Sequence, residues 1–404
     1  MSKTTTAWRQ LLLLLRVALP TIAAFALAAA LAVACGGGKG EGPSATAVPT
    51  LATAVPTVDP QHLTERGPFA VGVSTLTLVD ESRPTDANRT YAGANSRTLV
   101  TEVWYPAEGD TQRPELRDAP LDRSGAPYPL IVFSHGIMEN RRQSTFYTQH
   151  LASHGYVVIS PDYPLSNSAA PGGPRTGDVL NQPGDVSFLI DSFLRFSAEP
   201  GNPLQGAVHA AAIGLTGHSL GGLTTILATF GPLADPRVKA ALPISAPACL
   251  VGSQTYKDSH TPVLVMGGSD DQIVPFQSIR QAYDAANPPK YLLTLLGGNH
   301  LRFADGNMAD FAPGTLESTG GATFQEDGLR IAQATGADLT TCTLAEASPQ
   351  GLAAKRQQEL TRLFATAFFD YYLKGDEGAS YVLTSEFAQT IPEVKLEIGQ
   401  PSSQ

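Results

Sequence analysis

Ser219 stands at the apex of Gly217-His218-Ser219-Leu220-Gly221-Gly222, between the apolar run at residues 212–216 and a helix-like segment at 223–228. A strand, a tight turn and a helix in that order thrust the serine hydroxyl outward. Small flanking residues are required, because a Cβ there would strike the neighbouring strand or helix. A serine hydroxyl attacks a carbonyl once a base takes its proton, and the backbone N–H of Leu220 then points at the oxygen that becomes negative.

Such a serine needs an imidazole to accept its proton and a carboxylate to fix that imidazole in one tautomer. Downstream, the apolar run 263–266 leads into Gly267-Gly268-Ser269-Asp270-Asp271, which offers two carboxylates. The run 291–295 leads through Gly297-Gly298-Asn299 to His300, the candidate base. Ordinary roles account for the other histidines. His62 falls in a polar N-terminal stretch, His150 and His154 in a helix and at its end, and His209 and His260 just before strands. His218 occupies the variable position of the elbow and is read as lining the pocket. No Cys, His and carboxylate spacing forms a metal site, and chemistry of this kind calls for no cofactor.

Apolar or β-branched runs that could position these residues recur at 71–79, 98–105, 130–133, 157–160, 212–216, 240–244, 263–266 and 291–295. The middle and later runs are short and nearly unbroken, as strands buried on both faces are. Helical patterns alternate with them. Phe146, Tyr147 and Leu151 share a face; Asp185 could cap a helix bearing Val186, Leu189, Ile190 and Phe193; Phe276, Ile279 and Tyr283 recur later; and a strong stripe spans 353–373 before Gly375. This alternation predicts an α/β fold, a mostly parallel eight-stranded sheet with helices on both faces. Two segments without clear pattern, 163–184 and 301–351, are expected to form the rim or lid of a crevice at the carboxyl ends of the strands.

With Ser219, Asp271, His300, the turn Ser134-His135-Gly136-Ile137 and the phrase Leu151-Ala152-Ser153-His154-Gly155-Tyr156 in view, the chain resembles the α/β-hydrolase superfamily over residues 71–375. It is similar to the branch of platelet-activating-factor acetylhydrolase and dienelactone-hydrolase-like proteins, and to cutinase-like polyester hydrolases. The resemblance implies the chain order nucleophile, acid, histidine. The spacing Gly268-x-x-Asp271-x-x-x-Pro275 resembles the acid loop of that superfamily and selects Asp271 over Asp270. The His-Gly turn implies Ile137 as the second oxyanion donor beside Leu220. Dienelactone hydrolase itself would carry cysteine where this chain has Ser219. The implied activity is hydrolysis of carboxylic esters through an acyl-enzyme, on short-chain, acetyl, phospholipid-type or polyester substrates. The alternatives are a non-catalytic binding protein on the same scaffold, or a peptidase or acyltransferase using the same triad.

The net charge of −10 leaves no basic stripe for a polyanion, so nucleic acid is not an expected partner. Lys3, Arg9 and Arg16 precede an uncharged run at 17–34, which reads as an export signal. Cys35, followed by three glycines, resembles the lipidation site of a bacterial lipoprotein; an uncleaved helix or simple secretion are the other outcomes, all extracytoplasmic. The expected organisation is signal over 1–35, a disordered Pro/Thr/Gly-rich tether over 36–62, and a catalytic domain over 63–404, with a monomeric state and attachment to a membrane only through the N-terminus also expected. Of three cysteines, Cys249 and Cys342 then remain for a disulfide, with two separate buried thiols as the alternative.

Overall fold

The computed structural model describes residues 59–305, 315–342 and 351–399. The expected signal, Cys35 and nearly all of the expected tether lie outside the described residues, as do parts of the 301–351 segment.

Ten strands form one sheet: β1 (Ala70–Asp80), β2 (Arg97–Ala107), β3 (Leu116–Arg117), β4 (Tyr128–Ser134), β5 (Val157–Asp162), β6 (Val208–His218), β7 (Val238–Ile244), β8 (Val263–Gly268), β9 (Lys290–Leu295) and β10 (Val394–Gly399). Their spatial order is β10-β9-β8-β7-β6-β4-β5-β2-β1-β3. From β5 through β9 neighbouring strands are parallel, while β2 is antiparallel to both β5 and β1, and β10 is antiparallel to β9.

All eight expected runs are strands, and the sheet is wider than the expected eight by β3 and β10. In β4, Ile131 and Phe133 enter the core on one face, and Leu130 and Val132 on the other. Likewise Leu264 and Met266 of β8 face one side, with Val263 and Val265 opposite. Both parities are buried, so these strands carry no polar alternation and read as unbroken apolar runs. At the edge, β10 alternates Val394-Lys395-Leu396-Glu397, with Val394 and Leu396 buried and Lys395 exposed.

Helices α1 (Pro60–Thr64), α2 (Thr145–Ser153) and α7 (Ala354–Phe369) cover one face, and α3 (Gln182–Ala198), α4 (Leu220–Thr229) and α5 (Phe276–Ala285) the other. Helix α1 begins with Pro60 and buries Leu63, so it crosses the expected domain boundary at 63 and includes His62. The expected helix over 353–373 is α7 followed by a π-helical turn, Asp370–Lys374, which stops at Gly375 with φ 70°. A left-handed residue at that position is one that glycine adopts without strain.

Asp185 does not cap its helix. Helix α3 starts three residues earlier, at Gln182, and Asp185 is fully buried in its first turn. Its carboxylate accepts from Arg97 Nε at 2.7 Å and Nη2 at 2.6 Å, and Arg97 also bonds Asp178. All three side chains are inaccessible to solvent. A buried guanidinium requires carboxylate partners, and this need outweighs capping.

The 301–351 segment is not patternless. It contains α6 (Thr315–Thr335) and the 3-10 turn Leu339–Thr341, and α6 packs on the other rim segment. Asp327 of α6, almost fully buried, accepts from Gly177 N–H at 2.8 Å and from Arg175 Nε at 3.2 Å. Just beyond α6, Cys342 is joined by a disulfide to Cys249, their Cα atoms 5.3 Å apart. Among the described residues no helix is long and apolar enough to cross a membrane.

Candidate active site

Ser219 joins β6 to α4 with φ 56° and ψ −119°, a left-handed conformation that costs a non-glycine residue about 1–3 kcal/mol unless its surroundings impose it. The surroundings do. A Cβ on Gly221 would lie 1.9 Å from the carbonyl oxygen of Ser134, and one on Gly217 would lie 2.3 Å from that of Gly221. Ser219 N–H is tied to Ile244 O at 2.9 Å. These contacts explain the glycines flanking the serine and fix its position at the N-terminus of α4.

Asp271 and His300 come from the loops after β8 and β9. His300 Nδ1 donates to Asp271 Oδ2 at 2.7 Å, and each residue is only 3% exposed. The other carboxylate oxygen of Asp271 accepts from the N–H groups of Ile273 and Val274 at 3.0 and 2.7 Å. Asp270, the competing carboxylate, instead accepts from Ser269 Oγ at 3.0 Å. The two loops are pressed together, since a Cβ on Gly268 would stand 2.2 Å from Gly298 O. Gln357 of α7, absent from the sequence reading, clamps the residue before His300: its Oε1 accepts from Asn299 N–H at 2.9 Å and its Nε2 donates to Asn299 O at 2.7 Å. No motif announces such a glutamine, because both of its partners are backbone atoms 58 residues away.

The loop after β4 approaches from the other side, where a Cβ on Gly136 would lie 3.3 Å from that of Ser219. Gly136 N–H is spent on Gln143 Oε1 at 2.6 Å, Met138 N–H on Ser166 O at 2.9 Å, and Glu139 N–H on Gly136 O at 3.2 Å. Among the described residues no protein acceptor takes the amide of Ile137, and the same holds for Leu220 in the unsatisfied first turn of α4. His135 is structural: Nδ1 donates to Gly136 O at 2.7 Å, Nε2 accepts from Tyr163 N–H at 3.1 Å, and burial pushes its pKa below the ordinary range. Burial, reinforced by the Asp305 carboxylate, pushes Glu139 of this loop up to about 7.

His218 is buried behind the serine, with its ring centroid 4.5 Å from that of His300. Burial and then the nearby His300 hold its pKa well below the ordinary range, so its imidazole is neutral. It supports the site from within. An apolar cluster gathers Leu220, Val179, Ala246 and Ile331, with Ile137, Leu180 and Leu250 packed against it, so the rim segments and the two unspent amides share one apolar body.

Residues 119–313 match a family model described as PET hydrolase-like. The chain is 25% identical over 178 residues to a cutinase of Thermobifida alba, covering 44% of this chain and 48% of the relative. It is also 25% identical over 268 residues to a cutinase of Thermobifida fusca, covering 64% and 72%. Among solved structures it is similar to a ferulic acid esterase from Streptomyces cinnamoneus, with TM-score 0.52, 23% identity, and coverage of 76% of this chain and 91% of that one. The chain thus spans about half the length of the first of these cutinases. The ten-stranded sheet with its serine elbow shares the α/β-hydrolase fold of that esterase, and over these spans the chain is similar to ester hydrolases.

Proposed function

We propose that Ser219, His300 and Asp271 are the catalytic triad of an extracytoplasmic carboxylic-ester hydrolase, with the amides of Ile137 and Leu220 as its oxyanion hole. The observation that carries this reading is the buried His300–Asp271 hydrogen bond of 2.7 Å, with the His300 ring packed 4.5 Å from that of His218, the residue before a serine held at φ 56°. Ser219 Oγ attacks the ester carbonyl while His300 Nε2 takes its proton. The two amides bind the developing oxyanion, and Asp271 stabilises the imidazolium without taking the proton. The alcohol leaves with the proton from His300. A water deprotonated by the same imidazole then releases the acid and restores the serine.

Support for the substrate class comes from the names of the relatives, which include a platelet-activating factor acetylhydrolase of Canis lupus familiaris and a bis(hydroxyethyl) terephthalate hydrolase of Streptomyces coelicolor. The proposed substrates are carboxylic esters of short-chain, acetyl, phospholipid-type or polyester kinds. The export signal over 1–35, lipidation at Cys35, a tether between Cys35 and α1 and a monomeric state complete the reading. A fluorophosphonate probe should label the full-length protein at Ser219, and Ser219→Ala should abolish labelling and lower kcat on p-nitrophenyl butyrate by about 10⁴-fold or more. An unlabelled wild-type protein would overturn the triad. Mass analysis of the N-terminal peptide of protein made in a bacterial host should find Cys35 acylated, and an unmodified Cys35 would remove the lipid anchor.

A further inference from the structure

Gln143, 4% exposed, places its two amide atoms on two different parts of the site. One meets Gly136 N–H at 2.6 Å and the other meets His218 Nδ1 at 2.6 Å. A backbone N–H can only donate, so the atom facing Gly136 is Oε1 and the NH2 group faces His218. Nδ1 of His218 is therefore an acceptor, and the ring proton sits on Nε2. Protonating Nδ1 as well would set two donors against each other in a buried place. Nε2 itself has no hydrogen-bond partner, an orphan polar atom on a ring whose one titratable neighbour among the described residues is His300.

The main chain of Gln143 is also tied to the histidine loop. Asp305 N–H donates to Gln143 O at 2.7 Å, and Ser144 Oγ donates to Phe303 O at 2.8 Å. Asp305 in turn accepts from Phe146 N–H at 3.0 Å at the start of α2.

We propose that Gln143 is a positioning residue for ester hydrolysis. Its carbonyl oxygen fixes the His135–Gly136 peptide unit, from which the chain runs on to the Ile137 amide at the oxyanion, while its NH2 holds His218 as a neutral Nε2–H imidazole beside His300. A positively charged His218 would oppose the imidazolium that His300 must become in the transition state. One side chain thus serves both halves of the reaction, stabilisation of the oxyanion and acceptance of the serine proton. This inference rests on the triad reading above.

Histidine-15N NMR of the unmodified full-length protein tests the second half directly. His218 should show the neutral Nε2–H tautomer throughout from about pH 5 to about pH 9, and an Nδ1–H tautomer or an imidazolium in that range would overturn the inference. For the first half, Gln143→Leu should lower kcat on p-nitrophenyl butyrate roughly 10- to 100-fold with KM changed less than about twofold, as expected when a donor is misplaced but not removed. Gln143→Glu keeps an acceptor for Gly136 but turns a second acceptor toward Nδ1, so NMR should report a proton on His218 Nδ1 in that variant. Circular dichroism and melting separate loss of fold from loss of kcat. Full kcat in Gln143→Leu with wild-type fluorophosphonate labelling would sink the role of Gln143 and leave the triad standing, whereas absence of labelling in the wild type would sink the triad.

Discussion

Glu139 is the residue whose titration sets a measurable signature on the loop bearing Ile137. Burial and Asp305 raise its folded pKa to about 7 from an ordinary value of 4.5. The fold then holds this proton where the unfolded chain has lost it, so stability is full below about pH 4.5 and declines as pH rises to about 7. Glu139→Gln should stabilise the protein by on the order of 1–3 kcal/mol at about pH 8 and leave it unchanged near pH 4, measured by urea denaturation. Asp271→Asn offers a second residue-scale check, because it preserves volume while inviting the wrong imidazole tautomer. A kcat loss of about 10⁴-fold with little change in melting temperature is expected. Of these residues, Ser219 and His300 were legible from a glycine elbow and a strand–turn–histidine sequence. Asp271 is separated from Asp270 in the sequence only through resemblance; in the structure two backbone N–H groups donate to one oxygen of Asp271 while the other meets His300. Gln143 and Gln357 left no trace in the sequence, since a glutamine bonded to distant backbone has no periodicity and no companion motif.

At the scale of elements, the central strands could be read because burial on both faces removes every polar interruption. β10 carries its own signal, an apolar–polar alternation suited to an edge, yet it lies beyond α7 and outside the strand–helix alternation that reveals the other strands. Helix α6 was hidden by Gly320, Gly321 and Gly328 and by threonines, residues that lower helix propensity. It is held by tertiary bonds instead, through Asp327 to the Arg175–Gly177 segment, through Thr335 Oγ1 to Leu250 O at 2.6 Å, and through the Cys249–Cys342 disulfide just after it. A crosslink spanning 93 residues constrains the unfolded chain by about 4 to 5 kcal/mol in the loop-entropy model. Replacing both cysteines with serine should lower the melting temperature by several degrees and raise protease cleavage within α6 first, and equal melting of both proteins would show that the crosslink contributes nothing.

For the whole molecule, the packing of the N-terminal helix α1 onto the helical layer of its own face depends on pH. His150 and His154 of the α2 region fasten the α1 segment by donating from Nε2 to Leu63 O at 3.0 Å and Glu65 O at 2.9 Å. Burial holds both imidazoles below the ordinary histidine range, His150 well below it, so the unfolded chain binds their protons first as pH falls. The stability they contribute is present above about pH 6.5 and is lost as acidity increases toward the folded values. Thermal melts should therefore fall steeply between about pH 6.5 and about pH 5, and His150→Gln, which retains a donor for Leu63 O without a titrating group, should flatten that decline. The contact between Gly268 and Gly298 acts at this scale too, because it locks the carriers of acid and base into one backbone-on-backbone seam. In a saturation library these two columns should stand empty amid tolerant surroundings, and recombination between related hydrolases should succeed only when both loops are inherited from the same parent.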